Sequence, residues 1–244
     1  MILGIDSSGL TASVAILDED NDIVTAQYTV NLKKTHSETL LPMIDEIFRL
    51  TGMVKKEIST VAVAAGPGSF TGLRIGGAAA KGIASALGIP VAAVPTVDGL
   101  AYNCYGFGGY VCPLMDARRQ QTYTGIYEFV AESGSMNNIS YSMNAILPQC
   151  AIGIEELIQR LNDAGDSDTE VMLLGDGVPV FKEIIDRNLI LPHCYAPAHM
   201  NRQSAAAIAR LGAIYVKRGQ TVSAASFAPE YLRQSQAERE ALEK

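Results

Sequence analysis

The sequence predicts an α/β fold built from two related domains, and three observations predict it. Three short strands in an antiparallel meander open the chain. Apolar strands joined by helices follow, the pattern of parallel units. After residue 105 a looser version of the same order begins again.

Residues 2–6 (ILGID) are a short apolar run ending in an acid and two serines. Residues 12–17 (ASVAIL) follow a five-residue turn, and 22–30 (DIVTAQYTV) alternate like a strand with one wet face. A helix is expected over 38–51, where Leu40, Leu41, Ile44, Ile47 and Phe48 recur at helical spacing and Gly52 marks the stop. Thr35 or Ser37 is its expected N-cap, with Glu38 favoured by the helix dipole. Pro42 must fall near the first turns, because proline cannot donate to the helix ladder. Residues 60–65 (TVAVAA) are apolar on both faces and read as a buried strand. A helix over 72–87, a strand over 90–94 and a helix from Pro95-Thr96 onward complete the first half.

Tyr105 to Tyr110 (YGFGGY) reads as a linker. Beyond it come strands 110–116 and 122–130, helix 154–164, strand 170–174, the turn Gly175-Asp176-Gly177 and helix 178–186. Helix 203–218 is amphipathic. The expected domains are 1–105 together with about 203–233, and 106–202. The polar tail 234–244 is expected to fray.

Composition narrows the function. Of 244 residues, 48% are hydrophobic and 18% charged, which excludes a disordered chain. A net charge of −7 lacks the basic excess needed to neutralise phosphates, so autonomous nucleic-acid binding is not expected. The N-terminus has no basic region before an apolar run, and no stretch is long enough to cross a bilayer. A cytoplasmic chain with no membrane contact follows. Cys104, Cys112, Cys150 and Cys194 form no C-x-x-C pair and read as free thiols. His36, His193 and His199 show no metal-ligand spacing, so no metal site is expected. There are 31 alanines and 22 glycines but no tryptophan, a composition suited to close backbone approach.

Four segments could carry chemistry. Asp6-Ser7-Ser8-Gly9 could hold a phosphate while the acid orients hydrated Mg²⁺, or could simply close a hairpin as an Asx/Ser turn. Gly175-Asp176-Gly177 could cradle an adenosine or phosphate at a helix N-terminus. Residues 64–76 (AAGPGSFTGLRIG) are the strongest signal: a strand ends, glycines and a proline fix a tight loop, and Ser69 or Thr71 can cap the next helix. They are not a Walker loop, which needs a lysine absent here. In that helix Gly72, Gly76 and Ala80 recur every four residues, which seats either the protein's own core or a second helix. Asp116-Ala117-Arg118-Arg119 reads either as a salt bridge across a domain seam or as a phosphate or carboxylate site. His36-Ser37-Glu38 reads as a capping segment, since triad members adjacent in sequence seldom face one another.

Taken in order, ILGIDSS, HSETLLPMI, AGPGSFTGLRIG, Lys81-Gly82 with Ile89-Pro90-Val91, Val94-Pro95-Thr96, DARR and Pro229-Glu230-Tyr231-Leu232-Arg233 resemble the bacterial TsaB (YeaZ) family. The resemblance is dense over 1–120 and returns at 171–177 and 229–233. It implies the fold of the actin, hexokinase and Hsp70 (ASKHA, ribonuclease H-like) superfamily. It implies a subunit without independent enzymatic activity that binds and activates TsaD, its catalytic homologue, alongside the ATPase TsaE. That machinery transfers a threonylcarbamoyl group to N6 of adenosine 37 in ANN-decoding tRNAs, and this subunit meets tRNA only indirectly. The implied partner surface lies on helices 38–51 and 72–87, at His36, Glu38, Leu41, Gly72, Arg74, Gly76 and Ala80. The same helices could pair two copies when the chain is alone. No cofactor is required, although ATP or ADP with Mg in the complex would meet Asp6, Ser7, Ser8, Gly175, Asp176 and Gly177. The rival reading is a small nucleotide-dependent kinase or ATPase built on those same residues. One departure stands out: Gln120-Gln121 occupy positions where the family more often has an acid and Val.

Overall fold

The computed structural model describes residues 1–32, 36–132 and 139–232. The expected frayed tail 234–244 and the candidate cap Thr35 lie outside the described residues. Two compact units make up the chain: Met1–Gly99 with Gln203–Lys244, and Leu100–Arg202.

The first unit is a five-stranded sheet of β1 (Ile2–Asp6), β2 (Thr11–Asp18), β3 (Ile23–Asn31), β4 (Thr60–Gly66) and β5 (Val91–Pro95), in the order β3-β2-β1-β4-β5. β1 pairs antiparallel with β2 and parallel with β4, and β4 pairs parallel with β5. β1 and β4 are buried along their whole lengths, which explains why both read as continuous apolar runs. Leu3 and Ile5 face a core shared with α1 (His36–Thr51) and α2 (Phe70–Leu87). Gly4 faces α6 (Ala205–Lys217), where the Ala205 carbonyl and Ala209 fill the space a side chain would need.

α1 begins at His36, so Ser37 lies inside the first turn and is exposed. It is therefore not the N-cap the sequence suggested. Pro42 falls in the second turn, where its missing N–H leaves the Glu38 carbonyl without its helical donor. α2 begins at Phe70, two residues early, because Ser69 caps it by accepting from the Gly72 N–H at 3.2 Å. Gly88, at φ +68°, closes α2 in a left-handed cap. α3 (Thr96–Tyr102) follows β5 directly.

The second unit repeats the first. Its strands are β6 (Tyr110–Asp116), β7 (Gln121–Glu132), β8 (Ser140–Gly153), β9 (Val171–Leu174) and β10 (His193–Tyr195), ordered β8-β7-β6-β9-β10. Two antiparallel pairs and then two parallel pairs reproduce the pairing of the first sheet strand for strand. α4 (Ile154–Ala164) and α5 (Val178–Asn188) pack a separate core against it. This duplication matches the two related α/β domains expected from the sequence.

β8 was not expected from the sequence. It is a half-exposed edge strand interrupted by Pro148, whose missing donor is tolerated beside the register shift around Ile126. The expected linker also differs. Tyr105 packs edge-on against Phe129 and Tyr141, each at 5.6 Å, so residues 100–105 group with the second unit.

Candidate functional site

In the first unit the β1–β2 loop is the junction at which both candidate interface helices start. Ser8 donates twice to Asp6 Oδ1, from its N–H at 2.9 Å and its hydroxyl at 2.6 Å. The Ser7 hydroxyl donates to the Gly72 carbonyl at 2.9 Å, and the Ser8 carbonyl accepts from the Ser69 N–H at 2.6 Å. His36 Nε2 lies 2.8 Å from the Gly9 carbonyl and donates to it in the Nε2–H tautomer. One loop thus ties the first residue of α1 to the first turn of α2. Asp6 is fully buried, and desolvation pushes its carboxyl up to about 6 against the opposing pull of the Ser8 bonds and of His36. Sequence reasoning missed Gln203, which is 3% exposed and covers Gly9 with its carboxamide; among the described residues its Nε2 has no hydrogen-bond partner.

The small-residue stripe on α2 has an internal address. A side chain at Gly72 would run into the Ser7 carbonyl, and one at Gly76 into the Ser7 hydroxyl. Ala80 is fully buried in the core beneath. Gly72, Gly76 and Ala80 therefore let α2 settle onto the end of β1, and in this chain they do not face outward. Of the residues assigned to a partner face, Glu38, Leu41 and Arg74 are exposed, and His36 is half-buried.

What α1 and α2 do present is an apolar groove of about 450 Å³. It is lined by Leu41, Pro42, Ile44, Phe48, Ile83 and Leu87, with Asp45 and Lys55 on its rim joined by a 2.9 Å ion pair. Leu41 and Leu50 on α1 are 59% and 60% exposed. Above the groove α2 shows Ala78, Gly82 and Ala86 to solvent, and nothing lies within 4 Å of where a Cβ on Gly82 would stand.

In the second unit the Gly175 N–H donates to Asn201 Oδ1 at 2.5 Å and the Gly177 N–H to the Leu114 carbonyl at 2.9 Å. Asp176 Oδ1 accepts from the Asp116 N–H at 3.4 Å. Burial pushes the Asp176 carboxyl up, while the Asp116 N–H and Arg202 pull it down. Arg118 pairs with Asp116 at 3.0 Å inside its own turn, so of the two readings of this segment the salt bridge is present, but as a local pair. Arg118, Arg119 and Gln120 all adopt left-handed backbone angles, with φ of 65°, 54° and 59°. The four cysteines are free; burial pushes Cys104 and Cys112 up to about 12, which makes both poor nucleophiles. Among the described residues no group of three or more metal-ligating side chains occurs, and no helix is long and apolar enough to cross a membrane.

A family model described as TsaD, tRNA N6-adenosine threonylcarbamoyltransferase, matches residues 24–241. A Bacillus subtilis tRNA threonylcarbamoyladenosine biosynthesis protein TsaB is 33% identical over 242 residues, covering 99% of this chain and 98% of its own. The chain belongs to the TsaB (YeaZ) family. A Haemophilus influenzae TsaB is 24% identical over 95% of this chain and 93% of its own. The crystal structure of a Pseudomonas aeruginosa protein described as similar to peptidase YEAZ superposes with a TM-score of 0.73. It is 24% identical, covers 95% of this chain and 99% of its own, and so shares the fold. Within this TsaB-family fold, the segment 222–231 is the second feature whose role sequence reasoning missed. Its Pro229-Glu230-Tyr231 stretch was recognisable, but its resting place against α2 has no local signal, because the contact joins residues far apart in the chain.

Proposed function

We propose that this chain is the non-catalytic partner subunit of a tRNA threonylcarbamoyladenosine transferase. In this reading it binds and activates the catalytic homologue TsaD through the outer faces of α1 and α2, and TsaE joins the same machinery. The observation that carries the reading is the apolar groove between these helices, rimmed by an exposed leucine on a family-typical segment. The family supplies the reaction: relatives are named as threonylcarbamoyladenosine biosynthesis proteins, and the matching family model carries the transferase description.

The kinase or ATPase reading has less support. Asp6, Ser7 and Ser8 spend their side-chain bonds on one another and on α2, so the loop offers a phosphate no free hydroxyl without rearranging. What the geometry favours is a joint that seats two helices.

The test uses a surface residue. Leu41→Glu leaves the core intact and places a charge in the groove, so it should weaken binding to TsaD about tenfold or more, equivalent to ~1.4 kcal/mol. Transfer to tRNA reconstituted with TsaD and TsaE should fall in parallel. Full affinity in a folded Leu41→Glu protein would remove the groove from the interface. If transfer proceeds equally well without this chain, the activating role is wrong.

A further inference from the structure

Residues 222–231 form a strap that crosses α2. After α6 the chain makes a two-bond antiparallel bridge between Val222 and Val91 on the edge strand β5, each bond 2.9 Å long. Phe227, 2% exposed, then packs on α2, where a Cβ on Gly77 would stand 3.1 Å from its ring. Lys81 Nζ donates to the carbonyls of Ala225 at 3.3 Å and Phe227 at 2.9 Å. The Glu230 N–H donates to the Ala65 carbonyl at 2.6 Å, and the Glu230 carbonyl fills the space a side chain at Gly66 would need. Gly66 holds φ +122°, which glycine adopts most readily.

The strap delivers Tyr231 to the start of α2. Its ring lies 4.6 Å from that of Phe70. Arg74, one turn further along, lays its guanidinium 3.9 Å over the same Phe70 ring. α2 carries two charged residues, and Lys81 spends its charge on strap carbonyls. Arg74 is exposed, and among the described residues it makes no ion pair. It is thus the single charge on the solvent face of a helix otherwise showing threonine, serine, alanine and glycine.

We propose that Tyr231 is a positioning residue of the docking surface: through Phe70 it holds the Arg74 guanidinium in place to pair with a carboxylate on the docking protein. The proposal rests on the docking reading above. A guanidinium held over a ring face still has N–H donors to offer a carboxylate, which it matches two bonds to two. Stacking also removes rotamer freedom before the encounter, so less is lost on binding. RNA phosphate would suit the same fork, but a net charge of −7 opposes it.

The experiment measures affinity for purified TsaD at about 50 and about 300 mM salt, a range over which screening of exposed pairs grows markedly. It compares the wild-type chain with Arg74→Ala, Tyr231→Ala, Tyr231→Phe and the Arg74→Ala/Tyr231→Ala double variant. At low salt Arg74→Ala and Tyr231→Ala should each weaken binding roughly three- to tenfold and flatten the salt dependence, with the double variant no worse than Arg74→Ala. Tyr231→Phe keeps the ring and should bind as the wild type does. Losses that add in the double variant overturn the proposal. So does a Tyr231→Ala protein whose salt dependence is unchanged, since that is the signature of a merely structural ring. Losses that appear against tRNA and not against TsaD overturn it as well. A wild-type chain that does not bind TsaD overturns the docking reading, and this proposal with it.

Discussion

Asp6 ends a strand that is buried throughout, and its carboxyl is held up to about 6 by desolvation against 3.8 in a free chain. A carboxyl whose folded-state value is raised favours the folded state while protonated. That contribution is fully present below about pH 3.8 and is lost as pH rises through about 6. A rise of that size is equivalent to roughly 3 kcal/mol at most. Asp6→Asn keeps an acceptor for the Ser8 bonds and removes the ionisation. Denaturant unfolding should therefore show the variant gaining on the wild type between pH 4 and pH 7, with the gap constant above that. Parallel stability curves for the two proteins would show that Asp6 ionises freely in the fold. The acid itself was legible in the sequence as a strand-end residue. Its burial was not, because the loop that follows it is closed over by α2 at Ser7 and by Gln203 at Gly9, both more than sixty residues away in the chain.

The elements were read well wherever the local pattern of apolar residues decides them. α4, α5 and β6 keep the spacing of their apolar residues, and their starts fell where expected. Misreadings came where tertiary context decides. Ser37 looked like a cap, yet the helix continues through it to His36, which is held by the Gly9 carbonyl. β8 lacks a clean alternation because its edge position leaves most of it half-exposed. The α2 glycines show the limit most clearly: spacing marks close approach but cannot tell inside from outside. A paired substitution separates the two. Gly76→Ala drives a methyl into the Ser7 hydroxyl and should cost about 1–3 kcal/mol, as overpacking does. Gly82→Ala meets nothing within 4 Å in a helix interior and should stabilise the fold by roughly 0.5–1 kcal/mol. Thermal unfolding of the two variants checks both signs, and a stabilised Gly76→Ala would mean α2 does not rest on the β1 end.

The whole molecule is organised by the alanine and glycine excess. α6 carries five alanines and a glycine within thirteen residues, and it lies flat on the first sheet because partners across the contact are equally small. Gly4 yields to Ala205 and Ala209, and Gly212 presses on Ala62. The sequence showed α6 as amphipathic but gave no hint of which sheet it covers, since its partners Gly4 and Ala62 precede it by about 150–200 residues. Its position makes the first unit discontinuous in the chain, whereas the second unit keeps its own core within Leu100–Arg202. Truncation after Arg202 should therefore have opposite consequences for the two units. Residues 1–99 lose Ile208, Leu211 and four buried alanines of α6, together with Phe227 of the strap. At 1.5–3 kcal/mol for each large side chain that loss is on the order of 5–10 kcal/mol, comparable with the entire stability of a small domain. The second unit loses none of its core residues. Limited proteolysis of the truncated protein, read by mass spectrometry, should leave a resistant fragment of about 100–202 and digest 1–99 rapidly. Protection of β1 and β4 in that protein would mean α6 is dispensable, and the close-packing account of the alanine and glycine excess would fall with it.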